Sequence, residues 1–154
     1  MTQRVHNYYS HAPASIKAMM DLEKSFADST VEKTIQELVK LRASQINGCG
    51  HCIDMHSKEL RADGESEQKL YLLSAWRESP FYSERERAAL AWTEAVTLIS
   101  QTHAPDDVYN EVRAHFSEAE IVNLTMLIGT INTWNRLAIG FRAIPPVKAA
   151  ATAA

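Results

Sequence analysis

Residues 31–63 read VEKTIQELVKLRASQINGCGHCIDMHSKELRAD, and the spacing of apolar positions in this stretch decides the fold class. Val31, Ile35, Leu38, Val39 and Ile46 recur at the three- and four-residue intervals that align on one face of an α-helix, not at the two-residue interval of a strand. Ser29 and Glu32 stand three apart ahead of this face, the pattern of a capping box, and Asn47-Gly48 supplies a stop. A second helix is expected to begin around the two cysteines and to end at Asp63-Gly64.

The same signals continue outward in both directions. A helix is expected from about Ser15 to Ala27, and Ser66 can cap another that runs to about Glu78, where Pro80 closes it. Ser83 caps the next, whose Ala88, Ala89, Ala91, Trp92, Ala95, Val96 and Ile99 present a broad apolar surface. A short helix follows over about Asp106 to Phe116, and Ser117 with Glu120 repeats the capping-box pattern at the head of a long apolar helix ending near Gly140. The expectation is an all-α, single-domain helical bundle of about six to seven helices over residues 1–146, with a disordered tail at 147–154. Trp76, Trp92 and Trp134 read as core or interface residues. Gly129, inside a helix at a cost of about 1 kcal/mol relative to Ala, suggests that another helix approaches closely there. Asn132, Asn135 and Arg136 read as sealing a subunit interface or lining a pocket.

Composition narrows the function classes. The 154 residues are 45% hydrophobic and 23% charged, enough for one domain with a core. A net charge of -3 and the lack of any Lys/Arg cluster argue against a nucleic-acid partner. The start MTQRVHNYYS has no apolar signal core, and the most apolar stretch, residues 121–141, contains Asn123, Asn132, Asn135 and Arg136, so no membrane span is expected. The expected location is cytoplasmic.

Both cysteines of the chain lie in the quoted stretch, as Cys49-Gly50-His51-Cys52. A bridge across so short a loop removes little chain entropy, so the pair reads as redox chemistry or metal binding rather than as a structural staple. On a helix Cys49, Cys52 and His56 share one face, with His56 one turn from Cys52 and about 10 Å along the axis from Cys49. His56 is therefore expected to serve Cys52 first. Cys49, at the helix entrance, is expected nearer solvent and nearer the positive end of the helix dipole, which favours a thiolate there as well. Either sulfur qualifies as the nucleophile on electrostatics alone. Lowering a thiol pKa to about 7 raises the thiolate fraction at neutral pH only roughly 15-fold, and lower basicity takes back most of the gain. Peroxide cleavage has a larger need: a proton for a leaving oxygen whose conjugate acid is about as weak as water. His56 suits that need, and Glu37 offers a carboxylate that would orient or recharge it.

The run from Glu37 to His56 resembles the core of the alkylhydroperoxidase D-like proteins, within the carboxymuconolactone decarboxylase superfamily. The shared pattern is a Glu, eleven residues, CxxC, three residues and a His, and it is matched position for position. The resemblance continues through Gly64-Glu65-Ser66 and Phe81-Tyr82-Ser83-Glu84-Arg85-Glu86-Arg87 to Asn132-Thr133-Trp134-Asn135-Arg136. It implies an all-α fold, a homo-oligomer (trimer or hexamer) and hydroperoxide reduction through a Cys49–Cys52 disulfide cycle, restored by an external dithiol or a thiol-protein reductant. By resemblance Cys52 is the peroxidatic cysteine and Cys49 the resolving one, and Glu37, His51 and His56 match proton-relay positions. No cofactor and no metal are expected.

Other readings stand beside this one. A zinc site built on CxxC and His56 lacks a fourth ligand, since no second CxxC or HxxxH exists in the chain. A c-type haem site is excluded because Ile53, not His, follows Cys52. A decarboxylase or other lyase would leave the thiol pair surplus, whereas a redox-sensing protein would use the same disulfide as a switch. His6, His11, His103 and His115 join no pattern and read as surface residues.

Overall fold

The computed structural model describes residues 2–146, so Met1 and the expected tail at 147–154 lie outside the described residues. Eight α-helices follow in order: α1 Pro13–Ser25, α2 Lys33–Asn47, α3 Gly50–Ala62, α4 Glu67–Tyr71, α5 Glu84–Thr97, α6 Ile99–Thr102, α7 Asp106–His115 and α8 Glu118–Phe141. Short 3₁₀ turns cover Tyr8–Ser10, Phe26–Asp28 and Leu73–Glu78, and there is no strand among the described residues. The all-α bundle expected from the sequence is the observed fold. No helix of the described residues is long and apolar enough to cross a membrane.

The centre of the bundle is α2, which packs on α3, α5 and α8. Its Ile35 and Val39 enter a core with Ala88, Ala89 and Trp92 of α5, Val112 of α7 and Leu124, Leu127 and Ile128 of α8. Its Leu38 and Leu41 enter a second core with Leu60 of α3, Leu73, Trp76 and Leu90. Burial on two sides leaves α2 almost no solvent face, so any polar group along it must find a partner inside the protein.

Caps set most of the boundaries. Ser83 and Ser117 each accept an N–H from the third residue of the helix while Glu86 and Glu120 bond back to the cap backbone, so both are complete capping boxes. Ser66 caps α4 by accepting the N–H of Lys69. The box expected at Ser29 and Glu32 does not form: α2 begins at Lys33, Ser29 Oγ accepts the Val31 N–H at 3.1 Å, and Glu32 accepts from Arg85 at 3.0 and 3.1 Å. Arg85 also reaches Glu120 at 2.7 Å and the His115 carbonyl, tying α5 to the α7–α8 junction. A tertiary ion-pair cluster thus claims the carboxylate that local pattern assigns to the cap.

Two helices are shorter than expected. The segment Ser66–Glu78 breaks after Tyr71 and tightens into 3₁₀, with Ala75 at φ -118°, ψ 30°. The break and the kink at Ala75 let Leu70, Leu73 and Trp76 all bury in the core and bring the Trp76 indole N–H to Glu94 at 2.9 Å. Helix α5 stops at Thr97 and leaves Ile99 half exposed. Gly129 is exposed, with nothing within 4 Å of where a Cβ would sit, so no helix among the described residues makes the close approach expected there. Trp76 and Trp92 are buried in the cores, as expected.

Ser117→Ala removes a complete box and is expected to cost about 1 kcal/mol, lowering Tm by about 2–4 °C, while Ser29→Ala stays within about 0.5 kcal/mol. Urea midpoints check this, and equal losses in the two variants would contradict the cap assignment.

Candidate active site

The sequence Gln45-Ile-Asn-Gly48 turns α2 directly into α3. Gly48 takes φ 71°, ψ 32°, a left-handed conformation in which a side chain would be strained, and the Cys49 N–H bonds back to Ser44 O at 2.9 Å. Cys49 thereby becomes the N-cap of α3, with its sulfur accepting the Cys52 N–H at 3.4 Å. The two thiols are free, in near-contact and buried under Ala138 of α8, at 1% and 3% exposure. The expectation that Cys49 lies nearer solvent is incorrect, because α8 covers the helix entrance.

The thiols share one proton unequally. Cys49 is drawn down to about 7, first by the hydrogen bond from the Cys52 thiol, against its own burial, and then by the Cys52 N–H and nearby His56. The Cys52 thiol is pushed up, first by donating to Cys49 and then by burial. The first negative charge on the pair therefore rests on Cys49, where backbone donors meet it.

Behind the thiols runs a chain of buried charge. His56 Nδ1 lies 2.9 Å from Glu37 Oε2 and 2.9 Å from Glu59 Oε2, Lys40 Nζ lies 3.1 Å from Glu37 Oε1, and Glu23 of α1 pairs with Lys40 at 2.5 Å. Burial alone raises the Glu37 carboxyl, but the hydrogen bond from His56 and the charge of Lys40 outweigh it and hold it at about 2. Glu59, half exposed, is raised by burial and by its neighbour Glu37. With both carboxylates on Nδ1, that nitrogen carries the ring hydrogen and Nε2 is left buried with no partner among the described residues. His56 does not bond Cys52 in this resting arrangement, contrary to the expectation from helical spacing. The ring is oriented by the two carboxylates at Nδ1, which leaves Nε2 on its opposite edge.

A cavity of about 750 Å³ opens onto this group. Cys52, His51, His56, Glu37 and Glu59 line its polar side, and Tyr8, Tyr9, Met20, Met55, Ile131 and Trp134 form much of the rest. Cys49 does not line it. His51 is half buried at the cavity, with Nδ1 unpartnered. The N-terminal segment closes one wall: the Arg4 N–H bonds Phe141 O at 2.9 Å, Tyr8 stacks on Tyr9 at 4.4 Å, and Tyr9 tilts against Trp134 at 6.2 Å. Burial, Tyr9 and the nearby thiols push the Tyr8 phenol up.

Sequence reasoning brought Glu37, Cys49, His51, Cys52 and His56 to one site, and the structure gathers all five. It missed Glu59, Ser44, Tyr8 and Tyr9. Glu59, three residues after His56 on a helix, carried a readable signal; the tyrosines, in a segment without periodicity, did not. Asn132 and Asn135 do not line the cavity: both are buried and accept hydrogen bonds from Asn47 at 2.9 Å. Trp134, expected in the core or an interface, stands in the cavity wall.

A family model described as the carboxymuconolactone decarboxylase family matches residues 13–95. The chain belongs to the carboxymuconolactone decarboxylase family. Within this family, the matched residues hold Glu37, Cys49, His51, Cys52, His56 and Glu59, whereas Tyr8, Tyr9, Trp134 and Asn135 lie outside them. The chain is 48% identical over 139 residues to the uncharacterized protein YdfG of Bacillus subtilis, covering 90% of this chain and 94% of that one. It is similar to a solved protein of unknown function from Agrobacterium tumefaciens, described as a candidate antioxidant-defence protein AhpD. That match has 54% identity and a TM-score of 0.91, over 96% of this chain and all of the other. The debrominase Bmp8 shares the fold alone, with a TM-score of 0.80 at 21% identity, over 89% of this chain and 74% of that one.

The thiol pair sets a pH dependence. Loss of its first proton near pH 7 creates the reactive anion, so the rate of alkylation by iodoacetamide is expected to rise about tenfold per unit below that pH and to level off above it. A rate still climbing tenfold per unit above pH 8.5, the usual thiol value, would refute the shared-proton arrangement.

Proposed function

We propose that this protein is a thiol-dependent peroxidase that reduces organic hydroperoxides through a reversible Cys49–Cys52 disulfide. The observation that carries the reading is a cavity of about 750 Å³ ending on the Cys52 thiol, with a second free thiol in near-contact behind it. The description of the Agrobacterium relative as a candidate antioxidant-defence protein supports it.

In the first step the thiol pair gives one proton to His56 Nε2, whose imidazolium is held by Glu37 and Glu59 on Nδ1. The remaining proton moves from Cys52 to Cys49, and the Cys52 thiolate attacks the nearer peroxide oxygen. The O–O bond breaks, a Cys52 sulfenic acid forms, and His56 returns its proton to the departing alkoxide, which leaves as an alcohol. In the second step the Cys49 sulfur attacks the Cys52 sulfur. A disulfide forms and the sulfenic oxygen leaves as water, taking the Cys49 proton. An external dithiol or thiol protein then supplies two electrons and two protons by exchange. Glu59 connects His56 to solvent, and His51 is a further proton carrier on the cavity wall.

The apolar walls favour a hydroperoxide with a sizeable organic body over hydrogen peroxide. A reducing compartment such as the cytoplasm suits a cycle that depends on free thiols. The protein acts as a homo-oligomer, a trimer or hexamer, which the exposed α8 residues Val122 at 62%, Met126 at 48% and Ile139 at 44% support by needing cover. Light scattering is expected to give an oligomer; a clean monomer at micromolar concentration would remove this part of the reading.

The central test uses stopped reactions. Cumene hydroperoxide is expected to oxidise wild-type protein to an intramolecular disulfide, to leave a dimedone-trappable sulfenic acid on Cys52 in Cys49→Ser, and to label Cys49 at least about tenfold more slowly in Cys52→Ser. His56→Gln is expected to slow this oxidation by roughly 10²-fold or more while still allowing a strong disulfide oxidant to close the bridge. Equal labelling in the two single-cysteine variants would reverse the roles of the sulfurs. A disulfide that forms without turnover on any dithiol would instead make the protein a redox sensor.

A further inference from the structure

The cavity that ends on Cys52 differs chemically from the rest of the interior. The two cores on either side of α2 are built mainly on leucine, isoleucine and valine. No leucine, valine or phenylalanine is among the described residues that line the cavity: its large apolar side chains are Tyr8, Tyr9, Trp134, Met20, Met55 and Ile131. They come from four elements, the turn at Tyr8–Ser10, α1, α3 and α8. Aromatic rings and thioethers make directional contacts with another ring that saturated side chains do not.

The aromatic wall stands before any guest arrives. The Arg4 N–H bonds Phe141 O at 2.9 Å and its guanidinium bonds Gly140 O at 3.2 Å, which ties the N-terminal segment to the end of α8. Asn7, at φ 47° and ψ 48°, then turns the chain into Tyr8. Tyr8 is buried, stacks on Tyr9 at 4.4 Å, leans on Phe141 at 5.2 Å and donates its hydroxyl to that of Tyr9 at 3.2 Å. Fastening the segment accounts for Tyr8 but not for Tyr9. Tyr9 lies 6.2 Å from Trp134 and is 43% exposed at the cavity, where Met20 is 50% and Met55 40% exposed. Three large apolar side chains left open around one hollow of about 750 Å³ form a surface suited to cover by a small molecule, whose sites run to about 300–1,000 Å³.

We infer that this cavity takes hydroperoxides whose organic body is an aromatic ring, with Tyr9 and Trp134 as the specificity-determining residues. The inference rests on the peroxidase reading and names the substrate class of that same site. The ring occupies the apolar side of the cavity and the peroxide group the polar side, where Cys52, His51 and His56 stand. Burial of apolar area does not select such a body, because a cyclohexyl group is at least as apolar as a phenyl group. Ring contacts do select it, each being worth roughly two- to tenfold in affinity beyond the area covered. Because the wall is already fastened, little ordering cost is left for binding to meet. Tyr8, Tyr9 and Trp134 all lie outside residues 13–95, so this selectivity is set by parts of the chain beyond the matched family segment.

The test measures binding without turnover. The probes are 2-phenyl-2-propanol, the alcohol that cumene hydroperoxide leaves on reduction, and 2-cyclohexyl-2-propanol, the same skeleton with a saturated ring. Isothermal titration calorimetry on the reduced wild-type protein is expected to show the phenyl alcohol bound about tenfold more tightly. Tyr9→Leu and Trp134→Leu are each expected to cut that preference by about threefold or more, whereas Tyr9→Phe, which keeps the ring, and Tyr71→Leu, on an exposed side chain outside the cavity, retain it. If Trp134→Leu does not fold, the comparison of Tyr9→Leu with Tyr9→Phe carries the test alone. Equal affinities in the wild type, failure of both alcohols to bind, or a preference unchanged in Tyr9→Leu would overturn the inference. Loss of the reaction with cumene hydroperoxide would count against the peroxidase reading instead, and the two failures are read in separate experiments.

Discussion

A buried carboxylate organises this molecule. Glu37 lies on the helix that packs against most of the others, at 7% exposure, and a lone charge there would be costly. It is held by Lys40 one turn along its own helix and by His56 from α3, and Lys40 in turn is held by Glu23 from α1. Three helices are thereby fixed around one charge-compensated chain. Lys40 and Glu23 extend the chain away from His56, and the imidazole, on the same helix as Cys52, has one nitrogen bonded to carboxylates and the other without a partner among the described residues.

The thiol pair is shaped by a different constraint, the helix start. Gly48 lets α2 stop abruptly, so Cys49 falls at the cap of α3 and its sulfur takes the place of a capping oxygen. That position attracts negative charge to Cys49, while the cavity reaches Cys52. Charge and access are thus divided between two sulfurs in near-contact, an arrangement suited to a reaction in which one sulfur meets the substrate and the other completes the bond.

Much of this was legible in the linear pattern, and the exceptions share a cause. The boxes at Ser83–Glu86 and Ser117–Glu120 formed even though Lys69 and Arg85 bond those carboxylates, because each cation takes one oxygen and leaves the other to the cap backbone. The similar pattern at Ser29–Glu32 failed because Arg85 bonds Glu32 across the bundle. The helix after Ser66 broke where a kink at Ala75 lets both Leu73 and Trp76 reach the core. Spacing put His56 on the helix face of the cysteines, yet its Nδ1 bonds two carboxylates, one of them on another helix.

The sequence by itself determined the helical class, the stop at Gly48, the juxtaposition of Cys49 and Cys52, and the membership of Glu37 and His56 in one group. The first three follow from spacings of a few residues, within which backbone geometry dictates who faces whom, whereas Glu37, on a different helix from His56, was joined to it by resemblance to a family pattern. Only the tertiary structure decided that Cys49 is covered while Cys52 meets a cavity, that Tyr8 and Tyr9 wall that cavity against Trp134, and that Asn135 of α8 bonds Ser44 of α2. Those contacts join residues from 44 to more than 120 positions apart, and α8 and the N-terminal segment meet α3 only because the cores on either side of α2 close around it.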